Sequence, residues 1–402
     1  AEIERLRPQI PDSFAWARDL DFPTHLSDTI TLSTFHGCPP DEIEAITKHL
    51  IDEHDIDVIV KLNPTLLGYE RVDRIVHDWL GYDDVRQVPT AIEEDLQFER
   101  GIELIEELNQ YASDRGHRCG IKHTNTLVVE NHKRWMPDET MYLSGPPLHV
   151  LATALLDSLA DALPGRLMLP GHDGPVQVSF SAGVTKENLA DTLAMGVRPA
   201  TICSDLLKPG GYGRLAPMLK SLTTAVRDAG AKTLDEFRAD RLTSARADDH
   251  RDTVAGHLAH VRGADRESYS LAGNSKLPRE VDHQLQMWGC VACNFCVTVC
   301  PNDAFFKVPT GDLDGVDGRQ QYFVLAELCN ECGNCMTFCP EEGDPAIVKP
   351  RLFLTEDRFE ACDGQAFLLA PGDDLSVTAD PSVESEVPRL VQLLTSDEGL
   401  PL

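Results

Sequence analysis

The 402-residue chain has no apolar run long enough to cross a membrane, so no transmembrane segment is expected. No signal-peptide pattern is present, which makes a cytoplasmic protein the expectation and a secreted one the exception. Positive charge is scarce: Lys+Arg 36 stands against Asp+Glu 66, a formal net charge of -30. That balance argues against nucleic acid or an anionic membrane surface as partner. The chain also lacks a Gly-x-Gly-x-x-Gly fingerprint, so it shows no dinucleotide site of its own.

Cysteine, by contrast, is arranged in two identical runs, Cys290-x2-Cys293-x2-Cys296-x3-Cys300-Pro301 and Cys329-x2-Cys332-x2-Cys335-x3-Cys339-Pro340. This is the spacing of two-cluster bacterial ferredoxins, in which three thiolates of one run and the last thiolate of the other hold each cubane. The reading gives one [4Fe-4S] cluster to Cys290, Cys293, Cys296 and Cys339, and the second to Cys329, Cys332, Cys335 and Cys300. A disulfide framework suits small secreted domains in oxidising compartments. Two zinc sites would leave the third cysteine of each run, and the proline after the fourth, without a use. The runs therefore point to electron transfer. Cys119 and Cys362 show no partner pattern and read as structural thiols.

Length allows one large and one small domain. Residues 29–229 alternate short β-branched runs with amphipathic helices, the order of a parallel α/β fold. Candidate strands are Thr29 to Thr34, Asp57 to Leu62, Val85 to Val88, Gly120 to Leu127, Val176 to Ser181 and Thr201 to Leu206. The division expected is 1–229 for this α/β domain, 230–286 for a helical linker, 287–350 for the two-cluster domain, and 351–402 for further strands and an acidic tail. Strands at Lys349 to Leu354 and Gln365 to Ala370 and a helix near Val387 to Leu394 are expected in the last part.

In α/β barrels the loops after the strands build the active site. Here those ends read Ser33-Thr34-Phe35-His36-Gly37-Cys38-Pro39-Pro40, Lys61-Leu62-Asn63-Pro64-Thr65, Lys122-His123-Thr124-Asn125-Thr126, Ser181-Ala182-Gly183 and Cys203-Ser204-Asp205. Lys61 ends an otherwise apolar strand, and its desolvation calls for an anionic or electron-rich partner.

These strings, with Thr124-Asn125-Thr126-Leu127 and Asp205-Leu206-Leu207-Lys208-Pro209-Gly210-Gly211-Tyr212, resemble the C-terminal half of dihydropyrimidine dehydrogenase, whose barrel belongs with the dihydroorotate dehydrogenases. A closer resemblance, over roughly residues 29–216, is to bacterial proteins named as selenate reductase iron-sulfur subunits. The resemblance implies a (β/α)8-type flavin barrel followed by an α+β ferredoxin-like domain. It implies FMN as a cofactor beside the two clusters. Lys61 matches a lysine at the flavin ring and Asn125 an asparagine facing substrate. Gly145 and the turn Ser181, Ala182 and Gly183 match places that pass close to FMN, and Ser204 falls near its phosphate. The resemblance further implies a redox partner subunit carrying FAD and NAD(P) sites or a molybdenum centre.

Two departures qualify this. Thr34 stands where the dehydrogenases carry a catalytic cysteine; Cys38, four residues on, is either the replacement acid or an ordinary buried thiol, and His36 is either an acid or base or a loop-holding residue. Six candidate strands are too few for eight, so a fragment, or a partner chain that supplies the first strands, is expected. The alternative to a flavoprotein is a flavin-free scaffold that docks a ferredoxin module in a larger complex.

Overall fold

The computed structural model describes residues 2–21, 26–33, 38–134, 138–208, 211–275, 280–310, 319–362, 364–370 and 376–395. The first sheet contains β1 (Thr29–Ser33), β2 (Asp57–Leu62), β3 (Cys119–His123) and, after a hairpin of β4 (Leu127–Glu130) and β5 (Thr140–Leu143), β6 (Val178–Phe180). The order across the sheet is β1-β2-β3-β6 and every pairing is parallel. Residues 198–201 continue it beyond β6: Phe180 pairs with Ala200, and the Thr201 amide donates to Phe180 O at 2.7 Å.

Alternation along the strands sorts the side chains into two faces. Val58, Val60, Leu62, Cys119, Ile121, Val178 and Phe180 enter the hydrophobic core. The helices α1 (Pro40–His54), α2 (Phe98–Ser113) and α3 (Pro146–Ala162) supply the rest of that layer. Each shows why: α1 buries Ile43, Thr47 and Ile51, one residue per turn, and α2 buries Leu104, Ile105, Leu108 and Ala112 on one stripe. On the opposite face Ser33, Lys61, Lys122 and Ser179 stand in register across all four strands.

Three expected strands differ. Val85 to Val88 is a loop with a single bridge from Gln87 to Val129, because Pro89 opens a helix immediately after it. The stretch Gly120 to Leu127 divides, β3 ending at His123 and Leu127 opening β4. Thr201 to Leu206 pairs only through its neighbour Ala200 before Ser204–Leu207 closes into a 3-10 turn.

Helix α3 is buried on nearly every side, which a surface helix cannot be. Its outer side is covered by α4 (Thr253–Arg262), whose Val254 and Val261 belong to the same core, as does Tyr269. Part of the segment read from sequence as a linker is thus packed against the α/β layer.

The second sheet has the order β11-β10-β9-β8-β7, built from β7 (Phe305–Pro309), β8 (Gln320–Leu325), β9 (Arg351–Phe353), β10 (Ala366–Ala370) and β11 (Ser376–Ala379). Its outer pairs are antiparallel and its inner pairs parallel. Helix α5 (Val387–Leu394) covers one face with Leu390, Leu393 and Leu394 against Phe323, Leu352 and Phe367. The strands after residue 350 therefore extend the sheet that borders the cysteine runs.

Candidate active site and cluster cavities

The C-terminal ends of the parallel strands bring Lys61, Asn125 and Ser33 together, and neighbouring strands of such a sheet lie about 4.8 Å apart. Lys61 and Lys122 are register partners on one face, both half-buried. Among the described residues neither has a carboxylate within ion-pair distance, and the Lys122 ammonium donates instead to Thr201 Oγ1 at 2.9 Å. Burial pulls the pKa of Lys61 below the ordinary lysine value, with Cys203 opposing; burial lowers that of Lys122, and repulsion from Lys61 adds to it. Two desolvated ammonium groups side by side make a site for an anion or an electron-rich ring edge.

Asn125 is held firmly. Its Nδ2 donates to Asn63 Oδ1 at 2.7 Å, its Oδ1 accepts from Ser33 Oγ at 3.1 Å, and its backbone amide donates to Leu62 O at 2.8 Å. Asn63 in turn donates to both oxygens of the buried Asp95 carboxylate at 3.1 Å, and Thr65 Oγ1 donates to the same carboxylate at 2.7 Å. Asn63 and Lys122 stand in the strand-end strings singled out in the sequence without a role, and Asp95 is the support that reading missed. Asp95 follows Glu93 and Glu94 in an acidic string that carries no site signal in the sequence.

The loops after β5 and β6 meet at two glycines. Gly145 (φ +72) caps α3 and Gly183 (φ +52) closes the turn Ser181-Ala182-Gly183. A Cβ on Gly183 would lie 2.2 Å from Gly145 O, so only glycine permits the approach. The turn is pinned from beneath, for His149 Nδ1 bonds Ala182 O and its Nε2 bonds His257 Nε2, both at 2.8 Å. Because Nδ1 must donate to a carbonyl, Nε2 of His149 accepts and His257 donates. Burial drives both rings to the neutral form, His149 to about 3 and His257 to about 4. Ser204 lies close by, its Oγ 3.5 Å from that of Ser144.

Cys38 is buried in the core at the start of α1, and burial, then Glu42 and Asp95, push its thiol pKa up. It is therefore a protonated thiol here. Thr34 and His36 lie outside the described residues.

None of the twelve cysteines is joined in a disulfide. Cys329, Cys332, Cys335 and Cys300 line one cavity of about 610 Å³. Cys290, Cys293, Cys296 and Cys339 line another of about 20 Å³ with Tyr322, Glu341 and Lys349. Each group of four draws its last member from the other run, the crossed arrangement expected. The runs also wrap alike: Ala292 and Asn294 in the first, and Glu331 and Gly333 in the second, take left-handed backbone at equivalent positions, with φ between +53° and +73°. Burial pushes Cys296 and Cys335 up to about 12, a state that bound iron would reverse by deprotonating them. Cys362, expected as a structural thiol, lines the larger cavity as well.

Two family models match the chain: "Oxidoreductase YgfK, N-terminal TIM-barrel domain" over residues 12–254 and a 4Fe-4S dicluster domain over residues 289–342. Among curated proteins the chain is similar to YgfK of Escherichia coli strain K12 and of Escherichia coli O157:H7, each named as a candidate oxidoreductase. Identity is 37% over 226 residues, covering 56% of this chain and 20% of each relative. The chain thus spans 20% of those relatives' length. Among the described residues no helix is long and apolar enough to cross a membrane. With its N-terminal TIM-barrel match covering more than half its length and a 4Fe-4S dicluster domain behind it, the chain belongs to the YgfK N-terminal TIM-barrel family.

Proposed function

We propose that this chain is an oxidoreductase that holds FMN at the strand ends of its barrel and exchanges electrons between that site and two [4Fe-4S] clusters, within a larger redox assembly in a reducing, cytoplasmic setting. The observation that carries the flavin reading is the convergence of Lys61 and Lys122, neither with a carboxylate partner among the described residues, with the Gly145–Gly183 approach at one end of one sheet. A flavin when bound supplies the exchange between two-electron substrate chemistry and one-electron carriers.

The chain's own residues divide the remaining work. Lys61 and Lys122 offer positive charge to the ring edge, and Asn125, fixed through Asn63 to Asp95, orients what lies above it. The turn Ser181–Gly183, with Ser144 and Ser204 beside it, offers amides and hydroxyls to a phosphate. Crossed thiolates hold each cluster, Cys300 reaching into the cavity of the second run and Cys339 into that of the first. A partner bearing FAD and NAD(P) sites or a molybdenum centre would supply or drain the electrons, and a longer polypeptide or second chain would complete the barrel around β1.

Anaerobic purification with iron, sulfide and acid-released flavin counted per chain tests this. About eight irons and one FMN are expected. Eight irons with no flavin, even with the full-length protein, would leave an electron-transfer scaffold. Cys300→Ala is expected to bring iron down toward four and to disturb the cluster of the second run; loss confined to the first run's cluster would disprove crossed ligation.

A further inference from the structure

The turn after β6 has its carbonyls tied down and its amides left over. Ala182 O accepts from His149 Nδ1 at 2.8 Å, and Gly183 O accepts from Asn188 Nδ2 at 3.0 Å. Among the described residues the amides of Ala182, Gly183 and Val184 donate to no protein acceptor, although backbone amides near a core are seldom left without one. The peptides joining these residues are trans, and a trans peptide points its N–H opposite to its C=O. Tying the carbonyls of Ala182 and Gly183 toward the core therefore turns the amides of Gly183 and Val184 away from it. Successive amides set in this way form a concavity for an anion.

Each tie is backed by a residue beyond position 254, where the barrel match ends. His149 Nε2 accepts from His257 Nε2 at 2.8 Å, and the His149 ring stacks on Tyr269 with centroids 5.2 Å apart and planes at 15°. Asn188 Nδ2 also reaches Tyr269 Oη at 3.4 Å, while its Oδ1 accepts from the Thr185 amide at 2.8 Å. His257 matters most among these because a neutral imidazole has two tautomers, and the bond made by one ring nitrogen decides which of them carries the proton. A donor at Nε2 of His149 keeps its proton on Nδ1, where Ala182 O needs it. Without that donor a buried acceptor is left unmade, and the other tautomer would set a lone pair against the carbonyl.

We propose that His257 is a positioning residue for the phosphate turn: its N–H fixes the tautomer of His149, His149 holds Ala182 O, and the turn keeps its amides set for the phosphate of FMN. Affinity for that phosphate is then governed by α4, which follows the barrel match, and not by the strand-end residues alone. This rests on the flavin reading above and concerns the phosphate only. None of the bonds from His257 to Ala182 involves Lys61 or Lys122, so the ring end of the site is independent of it.

The test takes the full-length protein, freed of flavin, and titrates it with FMN and with riboflavin, which has the same ring and no phosphate, following flavin fluorescence. Unaltered protein that binds neither would remove the flavin reading and this proposal together, and that is read before any variant is made. His257→Phe keeps a ring in place and removes the N–H, whereas His257→Gln supplies a donor again through its side-chain amide. FMN is expected to bind roughly tenfold more weakly to His257→Phe while riboflavin binds as before, and His257→Gln is expected to recover FMN affinity to within about threefold. His257→Leu takes the place of His257→Phe if the melting curve shows that the latter does not fold. With FMN bound by the unaltered protein, an unchanged FMN affinity in the variant without the donor, an equal loss of both ligands, or no recovery in His257→Gln would overturn the proposal and leave the flavin reading standing.

Discussion

At the scale of single residues the barrel end depends on Gly183 more than on any charged group. An added methyl at 2.2 Å from Gly145 O cannot be absorbed by a rotamer change, because the neighbour is backbone. Gly183→Ala is expected to cost roughly 2 kcal/mol, read by thermal unfolding, and, on the proposed flavin reading, to lower the flavin content. His123 makes the opposite kind of prediction. It is fully buried, neither ring nitrogen has a partner among the described residues, and burial drives it down to about 3. The unfolded ring titrates near 6.5, so below that pH the unfolded chain binds a proton the folded one refuses. Stability is then lost progressively as pH falls from about 6.5 toward 3, by on the order of 1 kcal/mol already at pH 5.5. His123→Phe should narrow the difference between melting curves at pH 7.5 and 5.5 without abolishing it, because His149 and His257 are depressed in the same way; an unchanged difference would show that His123 contributes nothing to the acid sensitivity. Residues of this kind were only half legible in the sequence. Lys61 announced itself as a charge ending an apolar strand, whereas Asp95 and His149 act through partners 30 or more positions away and leave no local trace.

Elements carried a clearer signal wherever one face is buried. Helix α5 reads directly from its spacing, and β2 from its apolar run, because in both the pattern and the packing agree. Val85 to Val88 misled because its two valines are β-branched although, three positions apart, they do not keep the strand period of two, and Pro89 ends the matter. Helix α4 falls in the segment expected to be helical, but its packing was hidden for another reason: its His257 and Thr253 look polar in sequence yet are buried. Its start is set by Asp252, whose carboxylate accepts from the amides of Val254 and Ala255, each at 2.9 Å. Asp252→Ala should therefore destabilise the chain by about 1 kcal/mol, measured as a fall in denaturant midpoint at constant slope. A loss of several kcal/mol would mean that the ion pair with Arg251 matters more than the cap.

Across the whole molecule the dominant long-range term is charge. A net -30 repels itself in the compact state, and added salt screens that repulsion. Raising sodium chloride from 0.05 to 0.5 M is expected to lift the melting temperature by about 2 to 4 °C, the shift that about 1 kcal/mol gives in domains of this size. A fall would imply that the exposed ion pairs, such as Arg115 with Asp52, outweigh the repulsion. The covering of α3 by α4 bears on how the chain can be taken apart. Tyr82 Oη donates to Tyr269 O and the Leu271 amide to Leu80 O, so the packing continues through Leu271. Anyone freeing the barrel piece by protease or by recloning should cut beyond Asn274, because a boundary near residue 230 would peel away a wall and uncover the buried His149, which meets His257 and Tyr269 there.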